Sequence, residues 1–120
     1  LSIYYLNYEN IKMTSESTFR EHQSELQEST SLESLFYLIL LDDNEHSYHY
    51  VIEMLGFIFG YSEEKAWTLA RIVDTQGQVI IETASRSICE GHQLQVHNHG
   101  TDHRITSSKG SMSAIIESAS

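Results

Sequence analysis

A chain of 120 residues is long enough to bury one apolar core but too short for two domains. Its 17 acidic residues against seven lysines and arginines give a formal net charge of −10, which repels nucleic-acid phosphates and anionic lipids. No stretch approaches the roughly 20 apolar residues of a membrane helix, so neither nucleic acid nor membrane is an expected partner.

A single cysteine, Cys89, indicates a reducing compartment, since one thiol can form neither an internal disulfide nor a paired-cysteine metal clip. The opening residues lack the basic head and the continuous apolar run of a secretory signal. We therefore expect a cytoplasmic protein.

Residues 1–34 are predicted to form a flexible N-terminal arm. From Thr14 to Ser34 the chain is dominated by Ser, Thr, Glu and Gln, so it cannot bury enough apolar surface to offset the entropy lost on ordering. Met13 is the first methionine, and we hypothesise that translation starts there, with residues 1–12 upstream of the true start. The remaining residues, 35–120, are predicted to form one domain.

The predicted domain begins with an apolar strand, Leu35 to Leu41, which is bounded by polar residues. Ser47 caps a helix whose apolar residues recur at spacings of three and four, and Gly60 ends it. A second helix is capped by Ser62 and ends at Gly77.

Three more elements complete the predicted order. Residues 78–84 are rich in β-branched side chains and predict a strand, and Ser87-Ile-Cys-Glu90 matches a capping box that opens a third helix. A polar loop from His97 to Gly110 precedes a last short strand, Met112 to Ile116. The order β-α-α-β-α-β predicts a single small α+β domain, with helices packed on one face of a three-stranded sheet.

A series of short motifs is spread over residues 38–96. The first strand runs into Asp42-Asp43-Asn44, the first helix carries Val51-Ile-Glu-Met-Leu55 and ends in FIFGY, and the second closes on Gln76-Gly77. In order and spacing these motifs resemble the ClpS adaptor family. The resemblance implies a non-enzymatic adaptor that grips the N-terminal residue of a substrate and hands it to an AAA+ Clp protease.

The resemblance also implies roles for particular residues. The α-amine of the substrate would be held by three acidic residues, Asp42, Asp43 and Asp74. A bulky apolar first side chain would enter a pocket between the two main helices, lined by Tyr48, Val51, Met54, Ala70 and Val73. Glu90 and His92 would dock the N-terminal domain of an unfoldase of the ClpA or ClpC type, with no cofactor or metal.

The chain departs from the family at three places beside the implied site. Asp74 stands where the family has a histidine, Tyr48 where it usually has a methionine, and His46-Ser47 where it usually has Thr-Pro. Three carboxylates in one pocket mouth would repel one another when the site is empty. Affinity and specificity are therefore expected to differ from those of the family.

Simpler interpretations of the same residues stay open. Asp42-Asp43-Asn44 also fits a solvated turn that ends a strand, and the pocket residues also fit an ordinary core. One alternative function is a ClpS-fold module that docks an unfoldase without binding N-degrons. Another is a metal-binding protein that uses His97, His99 and His103, although no cysteine partner or helical zinc motif accompanies them.

Overall fold

The computed structural model of the protein describes residues 1–2 and 34–120. Met13 and all of the predicted arm except Leu1, Ser2 and Ser34 lie outside the described residues. In the described part, the elements are β1 (Phe36–Leu41), α1 (Tyr48–Phe59), α2 (Glu63–Gln76), β2 (Gln78–Ala84), α3 (Arg86–His97) and β3 (Ala114–Ser118). The predicted α+β fold class and element order are confirmed.

Strand β1 is the centre of the sheet and pairs antiparallel with β2 on one side and with β3 on the other. Leu38 and Leu40 of β1 are 0% exposed and belong to the same buried cluster as residues of all three helices. Because alternate residues of a strand point to the same face, the helices cover one face of the sheet. The core lies between that face and the helices.

Both main helices begin and end at the predicted residues. The side chains of Ser47 and Ser62 accept the backbone N–H groups of Tyr50 and Lys65, which satisfies donors that a helix start leaves free. Gly60 and Gly77 end the helices with φ values of 70° and 85°, a conformation that disfavours residues with a Cβ.

The predicted capping box at Ser87 is wrong. Helix α3 begins at Arg86, and Ser85 is the N-cap in an extended conformation, so Ser87 lies within the first helical turn. Strand β2 ends at Ala84, and the chain turns into the helix without the two extra residues that a cap at Ser87 requires.

The last strand is displaced by two residues from its predicted position. It runs from Ala114 to Ser118, and its first paired residue is Ala114, opposite Leu40. Met112 is 1% exposed because it packs into the core ahead of the strand. The apolar side chain of Met112 therefore indicates a buried residue and not the start of the strand.

The loop between α3 and β3 is tied to α1 by side chains. Asp102, whose side chain is 0% exposed, accepts hydrogen bonds from the backbone N–H and the hydroxyl of Ser47, both at 2.7 Å. The hydroxyl of Tyr50 donates to the carbonyl oxygen of Gly100 at 2.6 Å. A loop of polar composition is thus fixed against the start of α1.

Among the helices of the described residues, none is both long enough and apolar enough to cross a bilayer.

Candidate functional site

Two carboxylates meet between the end of β1 and the end of α2. Asp42 directly follows β1, and Asp74 lies in the last turn of α2, three residues before Gly77. The backbone N–H of Asp42 donates to the carbonyl oxygen of Gly77 at 3.0 Å, which holds the loop after β1 beside the end of the helix. The side chains of Asp42 and Asp74 are 23% and 21% exposed, so they form the mouth of a half-buried site.

The α-ammonium group of Leu1 lies between these carboxylates. It donates to Oδ1 of Asp42 at 2.8 Å and to Oδ1 of Asp74 at 3.0 Å. Burial lowers the pKa of the ammonium, but the hydrogen bonds and charges of the two carboxylates outweigh this effect, so its pKa is raised above 8.0. The site therefore holds the charged form of a primary amine at neutral pH.

The rest of the terminal residue is also bound. The Leu1 side chain is 0% exposed and packs against the apolar core, and the backbone N–H of Ser2 donates to the carbonyl oxygen of His46 at 2.9 Å. The site thus contacts the ammonium and the apolar side chain of Leu1 and the main-chain amide of Ser2.

The predicted pocket walls come together in the core beside this site. Val51, Met54, Ala70 and Val73 are each 0% exposed, and Tyr48 is 3% exposed. All five belong to the buried cluster against which Leu1 packs. The Tyr48 hydroxyl donates to Oδ2 of Asp74 at 2.8 Å, so this residue also belongs to the polar mouth.

Comparison with known proteins places the chain in a family. The family model described as "ATP-dependent Clp protease adaptor protein ClpS" matches residues 31–106, which is more than half of the chain. The chain belongs to the ClpS family. This family is one of protease adaptors and not of enzymes.

A solved ClpS structure supports the fold. The structure of Agrobacterium tumefaciens ClpS2 bound to L-phenylalaninamide matches with a TM-score of 0.61 and 18% identity, over 71% of this chain and 96% of that one. No curated protein matches the chain significantly.

In this member of the ClpS family, Asp43 does not contact the Leu1 ammonium through any hydrogen bond described for it. Its Oδ1 and Oδ2 lie 2.8 and 2.9 Å from Nδ1 of His46, and the backbone N–H of Glu45 donates to Oδ1 at 2.8 Å. The predicted role of Asp43 in holding the substrate amine stays a prediction. In the structure, its carboxylate shapes the loop from which Asp42 and the His46 carbonyl project.

Sequence reasoning noted His46 as a departure from the family but gave it no role in the site. His46 is 2% exposed, and its Nε2 lies 2.7 Å from the carbonyl oxygen of Gly110. A carboxylate and a carbonyl only accept hydrogen bonds, so both ring nitrogens must donate and the ring is an imidazolium. The one sequence signal was an acid three residues before a histidine in a predicted turn.

The contacts of His46 and Asp43 shift the pKa values of both side chains. Burial lowers the pKa of His46, but hydrogen bonds to Asp43 and Gly110 outweigh it, so the pKa is raised above 6.5. Burial likewise raises the pKa of Asp43, but the bonds from His46 and Glu45 leave it below 3.8. The imidazolium thus compensates one of the three carboxylates that were expected to repel one another.

The predicted docking residues of α3 have different environments. Glu90 is exposed and lies 3.4 Å from Nε of Arg86. Nδ1 of His92 lies 2.7 Å from Oε1 of Glu82, a buried carboxyl whose pKa is raised by desolvation. Docking through Glu90 and His92 stays a prediction.

The three histidines of the metal alternative do not assemble. Nε2 of His97 accepts the backbone N–H of Ala114 at 3.1 Å, the His99 ring packs edge-on against Tyr50, and His103 is exposed. Within residues 1–2 and 34–120, no group of three potential ligands is placed to hold a metal ion. The described residues therefore offer the metal alternative no ligand set.

Proposed function

We propose that this ClpS-family adaptor binds polypeptides by their first residue and delivers them to an AAA+ Clp protease in the cytoplasm. The free α-ammonium lies between Asp42 and Asp74, and a bulky apolar side chain fills the pocket beside Tyr48. The observation that carries this proposal is the position of Leu1, whose ammonium contacts both carboxylates and whose side chain is fully buried.

The proposed ligand matches the site in charge and polarity. An α-ammonium offers three donors and a positive charge to two carboxylates, and hydrogen bonds between ions are stronger than those between neutral groups. Burying a leucine side chain contributes about 2 kcal/mol from its apolar surface. Acetylation of the amine removes the charge and adds bulk, so blocked chains are expected to be rejected.

The structural relative supports the same ligand chemistry. Agrobacterium ClpS2 was solved with L-phenylalaninamide, a compound that has a free α-amine and a large apolar side chain. In this chain, we propose that Val51, Met54, Ala70 and Val73 line the cavity for such side chains. Asp43 is proposed to act through His46, by fixing the loop that carries Asp42.

Delivery requires a second surface, which we propose lies on α3. Glu90 is exposed there, and His92 is half-buried against Glu82. The proposed partner is the N-terminal domain of an unfoldase of the ClpA or ClpC type.

Peptide binding tests the proposed site. Leu1 occupies the site in the structure, so the assay uses a chain with Leu1→Asp to open it. The Asp side chain is unfavourable there, because the cavity is apolar and lies beside the carboxylates of Asp42 and Asp74. Fluorescence anisotropy with peptides that begin with Leu or Phe should then show binding that N-acetylation weakens at least about tenfold, as expected when a charged pair is lost. Asp42→Ala and Asp74→Ala should weaken binding similarly.

The control is Glu117→Ala, which removes an exposed carboxylate from β3. It should leave binding unchanged. Equal binding of free and acetylated peptides, or no binding of either, would contradict amine recognition. If an unfoldase were still captured in that case, the alternative of a docking module without N-degron binding would be favoured.

A further inference from the structure

Tyr48 and Asp74 form a pair that joins the two main helices at the mouth of the site. Tyr48 is the first residue of α1, and its ring is buried. Its hydroxyl donates to Oδ2 of Asp74 at 2.8 Å, while the ammonium of Leu1 donates to Oδ1 of the same carboxylate at 3.0 Å. The two carboxylate oxygens of Asp74 thus accept hydrogen bonds from two different donors.

Asp74 occupies an unfavourable position for a carboxylate. The last turn of α2 is the negative end of the helix dipole, and no basic residue is present in that turn. A carboxylate there repels the free helix carbonyls and would turn toward solvent unless donors hold it. The hydroxyl of Tyr48 is a donor that remains after a ligand leaves.

The two acids are positioned by different means. Asp42 is fixed through its backbone, because its N–H donates to the carbonyl oxygen of Gly77. Asp74 projects from a helix, so its carboxylate must be oriented through its side chain. The bond from Tyr48 engages Oδ2 and leaves Oδ1 directed at the ammonium.

We propose that Tyr48 is a positioning residue whose hydroxyl holds the Asp74 carboxylate in the orientation that binds the ligand's α-ammonium. The proposal rests on the proposed function, since it concerns the same site. Pre-orientation of a binding group raises affinity by removing the entropy lost when a mobile side chain is ordered on binding. Tyr48 therefore acts on the ammonium through Asp74 and adds to the apolar wall of the pocket.

A double-mutant cycle tests this role. In the Leu1→Asp chain, Tyr48→Phe removes only the hydroxyl, and it should weaken binding of a peptide that begins with Leu about fivefold to tenfold. In a chain that also carries Asp74→Ala, the same change should have almost no effect, because no carboxylate remains to be oriented. Tyr37→Phe on β1 is the matched control and should bind as the parent does.

Each outcome is decisive. Unchanged binding by Tyr48→Phe, or an equal loss with and without Asp74, would overturn the positioning role. Thermal unfolding of each variant separates a loss of fold from a loss of binding. If the Leu1→Asp chain itself binds no peptide, the proposed function fails; if it binds and the cycle shows no coupling, only the role of Tyr48 fails.

Discussion

At the scale of single residues, the pair formed by buried His46 and partly exposed Asp43 makes the stability of the fold depend on pH. His46 bridges the loop after β1 and the loop before β3, through Asp43 on one side and Gly110 on the other. The charge of Asp102 also raises the pKa of His46. The centroid of the Tyr50 ring lies 4.4 Å from the centroid of the His46 ring. Loss of the proton would leave one ring nitrogen facing an acceptor without a hydrogen to donate.

The pair predicts how stability depends on pH. The raised pKa of His46 contributes stability that is fully present below about pH 6.5 and is lost as pH rises through the folded value. The lowered pKa of Asp43 contributes stability that is present above 3.8 and is lost as pH falls through its folded value. We expect the pair to stabilise most between these limits.

His46→Gln should therefore destabilise the protein most at about pH 6, by about 1–3 kcal/mol for lost bonds to charged groups. The difference from the parent should shrink toward about pH 9. Urea unfolding across this range measures it, with His103→Gln, at an exposed histidine, as the control. A difference that stays constant with pH would mean that folding leaves the pKa of His46 unchanged, and one that grows as pH rises would mean that the folded ring is uncharged.

The family resemblance pointed to Asp42 and Asp74 as site residues, but it did not give their partners within the chain. Local patterns predict only that these residues lie at the end of a strand and at the end of a helix. The contacts of Asp74 with Tyr48, and of His46 with Gly110, join residues 26 and 64 positions apart. Such contacts depend on how the elements pack, and no local pattern encodes them.

At the scale of elements, helices α1 and α2 were predictable because each has an apolar period, a serine at its start and a glycine at its end. Strand β2 was predictable because it is rich in β-branched residues. Helix α3 was harder to predict from the sequence, because Gly91 interrupts its apolar face. The structure shows that Gly91 is exposed and that a Cβ there would meet no atom within 4 Å. Its lack of a side chain is therefore not required by packing.

Two glycine substitutions with opposite expected effects follow. Gly91→Ala should stabilise the protein by about 0.5–1 kcal/mol, because alanine reduces the entropy of the unfolded chain and fits a helix. Gly60→Ala should destabilise it by about 1 kcal/mol or more, because φ is +70° there. Thermal unfolding measures both, and a loss of stability in Gly91→Ala would contradict the described helix.

At the scale of the whole molecule, the central position of β1 brings the residues of the candidate site together. The strand pairs with both neighbours, and its end delivers Asp42 beside the end of α2. The loop from residue 98 to 113 encloses the start of α1 through Asp102, Tyr50 and His46. Because the loop is polar, its sequence did not predict that it packs against the start of α1.

Asp102 is expected to be the acid whose loss harms the fold most. Asp102→Ala leaves the N–H and hydroxyl of Ser47 without their acceptor and frees Arg104, which also bonds Glu53. We expect destabilisation of about 2–4 kcal/mol, as for a broken buried charge network. Urea unfolding measures the free energy of unfolding. If Asp102→Ala lowers it by less than Glu117→Ala does, the loop is held by other contacts.

The main-chain bond from Ser2 to the His46 carbonyl has a consequence for the proteins that this adaptor could sort. Proline has no N–H, so a chain with proline in its second position cannot make this bond, whatever its first residue is. Under the proposed function, such chains would escape capture. Protection from degradation would then be encoded by the second codon of an exposed terminus as well as by the first.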